Sequence, residues 1–510
     1  MNKTAKAISL VTVLILISKP FAFIREMIIA AYYGATSHTD AYNMAIIIIG
    51  LSTAFVTAGI TTVIIPIYNH KRIGESKEVA DLFANNILWI TSLFCLILSI
   101  IGIIFAPVLV YIFAPNFNQE TAELTIRIVR IMFIFTVAMN ITCYMTSMAQ
   151  IYNKFAIIVI TGYPFTVLAV FFTVFFAERI GIYAMVIAYV LHLTLQSVLL
   201  IVSLRNVFRL KPHINFINGD FKEVIKLSLP LYLSIAVGEI NAIINKTLAS
   251  GLPEGSISAM TYADRLNGLP IGVISASVLT VVYPLLSKYA AEKDLPSLKA
   301  LTLKAVTLLT MTLLPIIAVS VYYARDITKI VFERGAFTAE NTELTAYIFI
   351  FTAFTMIFIS GASVFSNAFY GMKDTKTPQI TAIIMVSFNI TLSLILVQYM
   401  QAAGLALASS IAYFIYFISM FLFFKKKYGA FGGLTLVKNI LKCSLATLFM
   451  IPVFFLCEYL RGSMHLFIFF AVSSALSLCV YALLLWLLKV DLFMEAVKRA
   501  TTYFKKNKQN

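Results

Sequence analysis

Apolar runs of twenty or more residues recur from one end of this chain to the other, separated by short polar connections. Each run is long enough to cross the roughly 30 Å of hydrocarbon in a bilayer as an α-helix. Because backbone groups find no water in that hydrocarbon, such a chain is expected to fold as a bundle of helices. Hydrophobic residues make up 60% of the sequence and charged residues only 12%, which excludes an ordinary soluble domain.

We therefore predict an all-α, polytopic membrane protein with fourteen transmembrane helices. The first run is too long for a secretory signal peptide and lacks a small-residue cleavage site, so it is expected to be a permanent span. The predicted spans cover roughly residues 6–34, 38–69, 82–113, 122–151, 155–177, 181–204, 224–250, 257–287, 300–323, 341–371, 377–399, 402–424, 439–458 and 464–488.

Basic residues concentrate in every second connection between the spans. The connections on the opposite side of the membrane contain few basic residues. By the positive-inside rule, this pattern predicts that both termini are cytoplasmic. The net charge of +16 then reflects topology and contact with anionic membrane lipids, and no nucleic-acid partner is expected. A monomer is expected. The basic clusters comprise Lys71, Arg72 and Lys77; Arg205, Arg209, Lys211, Lys222 and Lys226; Lys425, Lys426 and Lys427; and Lys498, Arg499, Lys505, Lys506 and Lys508.

The chain divides into two halves that are predicted to be related repeats. Span two ends Thr-Val-Ile-Ile-Pro at 62–66, and span eight ends Thr-Val-Val-Tyr-Pro at 280–284. Six spans per repeat is an even number, so both lobes keep one orientation and are expected to be related by a pseudo-two-fold axis along the membrane normal. The predicted domains are an N-terminal lobe at 1–204, a cytoplasmic linker at 205–223, a C-terminal lobe at 224–424, and two further helices with a basic tail at 425–510.

Charged residues inside the apolar spans are the candidate binding residues. A charge at the centre of a membrane helix costs roughly 2.5–3.5 kcal/mol on insertion scales, so it usually lines a polar cavity. Several cations and a few acids between two lobes could hold a phosphate. The alternatives are ion pairs between helices and snorkelling to an interface. These candidates are Lys19, Arg25 and Glu26 in span one, Glu239 and Lys246 in span seven, and Asp264 and Arg265 in span eight.

Signals for catalysis or metal binding are weak. Four polar side chains could offer oxygen ligands to a cation, but isolated Asn and Ser in membrane helices more often bond neighbouring helices. The chain has no phosphate-binding loop of the G-x-x-x-x-G-K-[ST] type and no recognisable triad or metal signature, so neither an enzyme nor a cofactor is expected. The four weak cation candidates are Asn245, Asn389, Ser393 and Ser409.

An ordered series of short motifs resembles the MurJ (MviN) family of lipid II flippases. Residues 18–26 read Ser-Lys-Pro-Phe-Ala-Phe-Ile-Arg-Glu, and Thr39-Asp40-Ala41 follows after Gly34. Further matches are Tyr-Ala-Asp-Arg-Leu at 262–266, Gly-x-Phe-Thr at 335–338 and Asp-x-Lys-Thr-Pro at 374–378. Each motif is loose by itself, but their order along nearly the whole chain is specific.

The resemblance implies the multidrug/oligosaccharidyl-lipid/polysaccharide exporter fold in a bacterial inner membrane. It implies translocation of undecaprenyl-pyrophosphate-linked peptidoglycan precursor from the inner to the outer leaflet by alternating access. By position, Lys19, Arg25 and Arg265 correspond to cations of the diphosphate-binding cavity, and Glu26 and Asp40 match the acids of the first two spans. Spans thirteen and fourteen would form a groove for the polyprenyl tail.

The second span departs from the family pattern. Many members carry an Arg-Arg pair and a Glu there, whereas this chain has Thr53, Ala54 and Ala58. We consider that Lys246 supplies the missing charge from another helix, beside Thr53. A flippase for another polyprenyl-linked oligosaccharide remains an alternative, as does a cation-coupled drug exporter of the same superfamily. An intramembrane glycan polymerase is the enzyme alternative, although the short extracytoplasmic loops argue against it.

Overall fold

The computed structural model describes residues 19–54, 56, 61–216, 219–462 and 464–498. Every regular element in those ranges is helical. The beginning of the first predicted span and the second-span position Ala58 lie outside the described residues. The prediction of an all-helical membrane protein is confirmed.

The first nine helices belong to the N-terminal part of the chain. We number them α1 (19–33), α2 (Ser37–Ala54), α3 (Thr61–Gly74), α4 (Lys77–Phe113), α5 (Gln119–Ile134), α6 (Thr136–Ile151), α7 (Phe155–Ile180), α8 (Tyr183–Leu204) and α9 (Gly219–Ala249). Polar side chains fix several of their ends. Ser76 caps α4 by accepting a hydrogen bond from Val79 N at 3.3 Å, and Asn118 caps α5 through Thr121 N at 2.8 Å.

The remaining helices follow in the same way. They are α10 (Ser256–Pro270), a π-helical turn (Ile271–Ser275), α11 (Ala276–Ala291), α12 (Leu295–Tyr322), α13 (Ala324–Phe332), α14 (Ala339–Thr352), α15 (Thr355–Gly371), α16 (Lys376–Tyr428), α17 (Gly433–Leu448), α18 (Met450–Tyr459) and α19 (Leu466–Leu487). The backbone of α16 is broken at Gln401, with φ 52° and ψ −132°. That break lies between the predicted spans 377–399 and 402–424.

Within the described ranges, nine helical stretches are long and apolar enough to cross a membrane. The number rises to ten if α5 and α6, which are bent by 50° relative to each other, form one span. The chain is thus a multi-pass membrane protein. The count of fourteen spans and the pseudo-two-fold axis stay predictions.

The chain forms two compact units. The first comprises the chain up to Thr261 together with Arg334–Asn341, and the second comprises Tyr262–Glu333 and the chain from Thr342 onward. The core of the first unit packs Tyr68 and Phe83 against Tyr144. In the second unit, aromatic side chains dominate, with Phe365, Phe369 and Phe424 at the centre of one cluster. The predicted lobes at 1–204 and 224–424, the linker at 205–223 and the C-terminal segment at 425–510 stay predictions.

Candidate substrate site

Arg25 on α1 is the best-defined candidate of the site. Its Nη2 lies 2.5 Å from Glu26 Oε1, and both side chains are only 12% exposed. The guanidinium carbon sits 4.4 Å from the ring centroid of Phe165 on α7. The Phe165 ring in turn lies 4.9 Å from the imidazole of His192 on α8. Three helices therefore hold this cation over an aromatic face, an arrangement that stabilises a desolvated guanidinium.

Two polar atoms of this cluster are buried without a hydrogen-bond partner among the described residues. They are Arg25 Nε and His192 Nδ1. A buried polar group without a hydrogen bond lowers the stability of the fold by about 1–3 kcal/mol, so such a group is usually bonded to a ligand or to water. Because Arg25 Nε is an unused donor on a cationic group, this side of the cluster is suited to a hydrogen-bond acceptor such as an anionic oxygen.

Among the described residues, no hydrogen bond or ion pair joins Lys19 to this cluster. It lies at the exposed beginning of the described part of α1, two turns before Glu26. Seven residues of helix correspond to about 10 Å along the axis. Lys19 therefore remains a predicted cavity residue, at a different depth from Arg25.

Asp40 occupies a fully bonded position in the first turn of α2. Its Oδ1 accepts hydrogen bonds from Ser258 N at 2.7 Å and from Ser258 Oγ at 2.6 Å, while Oδ2 accepts from Gly255 N at 2.8 Å. Asp40 is 4% exposed. These donors surround the N-terminus of α10, where a helix favours negative charge. Asp40 thus joins α2 to α10 in this conformation.

Two further turns meet around the same point, and we call the set of Ala35, Asp40, Gly255, Ser258 and Asn341 the outer turn cluster. The backbone N and O of Ala35 bond the side-chain amide of Asn341 at 3.1 and 3.2 Å. Gly255 has φ +84°, and a Cβ there would collide with the carbonyl of Ala35. Only glycine fits this close approach without strain. The cluster packs three connections of the first unit tightly together.

Lys246, on the last turn of α9, lies beside this cluster. Its Nζ donates to Ile257 O at 3.0 Å and to Thr261 Oγ1 at 2.9 Å, and its charge acts on Asp40. Glu239 lies two turns earlier on α9 and is partly buried. The Lys246 ammonium group joins α9 to the beginning of α10.

The hypothesis that Lys246 compensates at Thr53 stays a prediction. The charge of Lys246 acts on Asp40, and Thr53 lies thirteen residues further along α2, about 20 Å from Asp40 along a helix axis. Thr53 is 1% exposed, and its hydroxyl donates to Ile49 O at 2.8 Å and faces Met139 Sδ at 3.6 Å. This difference in height along α2 argues against compensation, because the sequence does not fix the relative heights of two helices.

The candidates in the second unit lie on α10 and α16. Asp264 and Arg265 are exposed on α10, whereas the neighbouring Tyr262 and Ala263 are buried. Their convergence with Arg25 stays a prediction.

The four weak cation candidates stay predictions too. Asn245 on α9 is buried in the first unit. On α16 of the second unit, Asn389 and Ser393 are buried one turn apart, and Ser409 is partly buried.

Sequence reasoning missed two members of the Arg25 cluster. His192 carried a usable signal, since an ionisable side chain within the apolar run Tyr183–Leu204 is itself a functional-site indication. Phe165 carried none, because it is one of many aromatic residues in apolar spans. Its role depends on the way α7 packs against α1 and α8.

Comparison with known proteins shows the family of this chain. The family model described as "Lipid II flippase MurJ" matches residues 29–480. The chain belongs to the MurJ family. The resemblance that the motifs suggested is therefore confirmed.

Individual MurJ relatives are distant but cover most of the chain. It is 26% identical over 401 residues to the probable lipid II flippase MurJ of Rickettsia prowazekii, covering 78% of this chain and 79% of the relative. A solved structure of lipid II flippase MurJ in an inward closed conformation matches with 25% identity and a TM-score of 0.81, covering 93% of this chain and 97% of that one. These matches extend through both units.

The wider superfamily is visible in the fold. An inward-facing multidrug resistance MATE family transporter of the MOP superfamily matches with a TM-score of 0.66 and 15% identity, over 81% of this chain and 94% of that one. At this identity the match shows the fold alone. The MurJ family chain thus shares the exporter fold that its motifs predicted.

Proposed function

We propose that this protein is a lipid II flippase, which moves the undecaprenyl-pyrophosphate-linked peptidoglycan precursor from the inner to the outer leaflet. The match of the MurJ family model to residues 29–480 carries this proposal. The described geometry adds a reason at the level of chemistry. A buried guanidinium with an unused donor at Nε is suited to the diphosphate that links the polyprenyl chain to its sugar.

In this mechanism Arg25 binds the diphosphate, and the aromatic rings behind it keep the guanidinium in place. Phe165 lies under the charge and His192 backs Phe165, so the cation loses little conformational entropy on binding. Lys19 and Arg265 are proposed as further cations of the same cavity, with Glu26 balancing part of the charge. A moderate number of charge-assisted hydrogen bonds allows the cavity both to bind the diphosphate and to release it.

Alternating access requires that one end of the pathway closes while the other opens. The outer turn cluster is proposed as the closed end in the present conformation, facing the extracytoplasmic side when both termini are cytoplasmic. Three hydrogen bonds to Asp40 must break or rearrange if α2 and α10 separate there. A bound substrate that contacts Arg25 on α1, the helix before α2, could favour this separation only by binding the open state more tightly.

The test is depletion of the protein in its native cell, followed by complementation with variants. Depletion should accumulate lipid II in the cytoplasmic leaflet, measured by its inaccessibility to an externally added lipid II-cleaving enzyme. Wild type should restore accessibility, and Arg265→Ala should fail to do so at equal membrane abundance. Arg127→Ala is the matched control, because Arg127 is 65% exposed and pairs only loosely with Glu123 at 3.6 Å.

Accumulation of a different lipid-linked glycan on depletion, with lipid II unaffected, would reject lipid II as the substrate. Normal lipid II accessibility in depleted cells would reject the flippase function altogether.

A further inference from the structure

A cavity of about 380 Å³ opens at the end of α8, away from the Arg25 cluster. Its lining combines cationic and apolar groups, whereas a simple cavity between packed helices would be lined by apolar groups alone. The residues around it are Met145, Ile201, Arg205, Asn206, Phe208, Arg209 and Leu210. Met145 and Phe208 are buried and form its apolar wall, while both arginines are exposed.

The depth of the cavity matches a lipid head group. Helix α8 has 22 residues, Tyr183–Leu204. Such a helix is about 33 Å long, close to the thickness of the hydrocarbon core. Arg205 follows directly, so we expect its guanidinium to lie near the polar boundary of the membrane. Lys154, in the turn between α6 and α7, donates to Ser203 O at 3.2 Å and brings another cation to the same level.

The wall that carries the arginines is held rigidly against α4. Asn85 donates to Arg209 O at 3.1 Å and accepts from Lys211 N at 2.7 Å. Asn86 makes the same type of pair with the backbone of Asn215, at 3.1 and 2.6 Å. These side-chain amides fix the strap 209–215 in place before any ligand arrives. Pre-organisation of this kind lowers the entropy that binding must offset.

The two arginines carry charges that no described carboxylate neutralises. Neither Arg205 nor Arg209 has a carboxylate partner in the part of the chain that the structure describes. Other cations at helix ends differ, since Lys71 pairs with Asp220 at 2.9 Å and Lys427 with Asp374 at 2.7 Å. The guanidinium groups of Arg205 and Arg209 therefore give this cavity a positive potential beside its apolar wall.

We propose that this cavity binds the phosphate head group of an anionic phospholipid. Arg205 and Arg209 would each offer charge-assisted hydrogen bonds to the phosphate, and the first carbons of the lipid would lie against Phe208 and Leu210. The apolar wall and the membrane depth select a lipid over a dissolved phosphate ion, although both share the anionic group. The site lies outside the proposed transport cavity and does not depend on the identity of the transported lipid.

The experiment is a titration of the purified full chain in neutral detergent with phosphatidylglycerol, followed by native mass spectrometry. Wild type should retain one phosphatidylglycerol molecule more tightly than the rest and should show little preference for phosphatidylcholine. The double change Arg205→Ala with Arg209→Ala should raise the apparent Kd of that molecule by about tenfold or more. The double change to lysine keeps the charges and should give an intermediate Kd, which tests the site even if the alanine variant folds poorly.

Lys222→Ala with Lys226→Ala is the matched control. It removes two exposed cations from neighbouring α9 without touching the cavity and should leave the tight lipid in place. An equal loss of binding in this control would overturn the proposal in favour of diffuse surface charge. Displacement of the lipid by inorganic phosphate at about millimolar concentration would overturn the choice of a lipid ligand, and absence of a tight lipid in wild type would overturn the site itself.

Discussion

Arg25 and Asp40 are buried charges on two consecutive helices, yet their surroundings differ in kind. Asp40 accepts three hydrogen bonds of 2.6–2.8 Å from Gly255 and Ser258. Arg25 has a single carboxylate contact, an aromatic ring beneath it and an unbonded Nε. A charge whose bonds are complete stabilises the fold, whereas a charge with unused donors is available for a ligand. The sequence shows that a charged residue lies in an apolar span, but it does not show whether that residue stabilises the fold or binds a ligand.

The largest effect should come from Arg25→Ala. Loss of the guanidinium removes charge-assisted bonds worth about 1.5–3 kcal/mol each, so lipid II translocation should fall by at least tenfold. The thermal midpoint of the purified protein should also fall, because the largely buried Glu26 carboxylate loses its guanidinium contact, so translocation is compared at equal amounts of folded protein. Translocation is measured in reconstituted vesicles by protection of labelled lipid II. Arg25→Lys should recover only part of the rate, and full activity of Arg25→Ala would remove Arg25 from the site.

Asp40→Ala should act mainly on stability. It leaves the N–H groups of Gly255 and Ser258 and the Ser258 hydroxyl without their acceptor, at about 1–3 kcal/mol for each group that stays buried and unbonded. A lower thermal midpoint is therefore expected, together with separation of the outer turn cluster. The separation can be followed by the distance between spin labels at Ser37 and Glu254. An unchanged midpoint and distance would contradict the assignment of Asp40 to the fold.

Phe165→Leu should have a smaller effect on the Arg25 side of the comparison. The cation–π contact contributes about 0.5–2 kcal/mol, so lipid II affinity should fall by a factor between about two and thirty. Phe165→Tyr keeps the ring and should restore affinity nearly to the wild-type value. Equal loss in both variants would show that volume at this position matters and that the aromatic face does not.

The smallest effect on stability is expected from Lys246→Ala, and Thr53→Arg should not rescue this variant. Lys246 supports the connection near Asp40, so its removal should lower stability by about 1 kcal/mol, the usual net value of a hydrogen-bonded group. Arg at buried Thr53 should restore neither stability nor translocation, measured in the same two assays. Rescue by Thr53→Arg would instead place both charges in one cavity and support the compensation hypothesis.

The sequence predicted much of the helical layout because membrane spans impose long apolar runs. It also identified Arg25, Glu26 and Lys246 as charged residues inside apolar spans, and the family resemblance added Asp40. It could not separate their roles, since these depend on the relative heights and rotations of helices that are far apart in the chain. Asp40 meets Ser258 across more than two hundred residues, and nothing local in either segment encodes that contact.

The π-helical turn Ile271–Ser275 has a consequence for changes of chain length. A π-turn accommodates one more residue than an α-turn does, and it lies between the exposed Arg265 on α10 and the core-facing Val282 and Leu286 on α11. Deleting one residue here would convert the turn to regular helix and leave the helix faces on either side in the same register, because the extra residue is the one that the wide turn holds. A single-residue deletion elsewhere in α10 or α11 would rotate one segment against the other by about 100°. A deletion scan along this helix should therefore find its most tolerant point between 271 and 275.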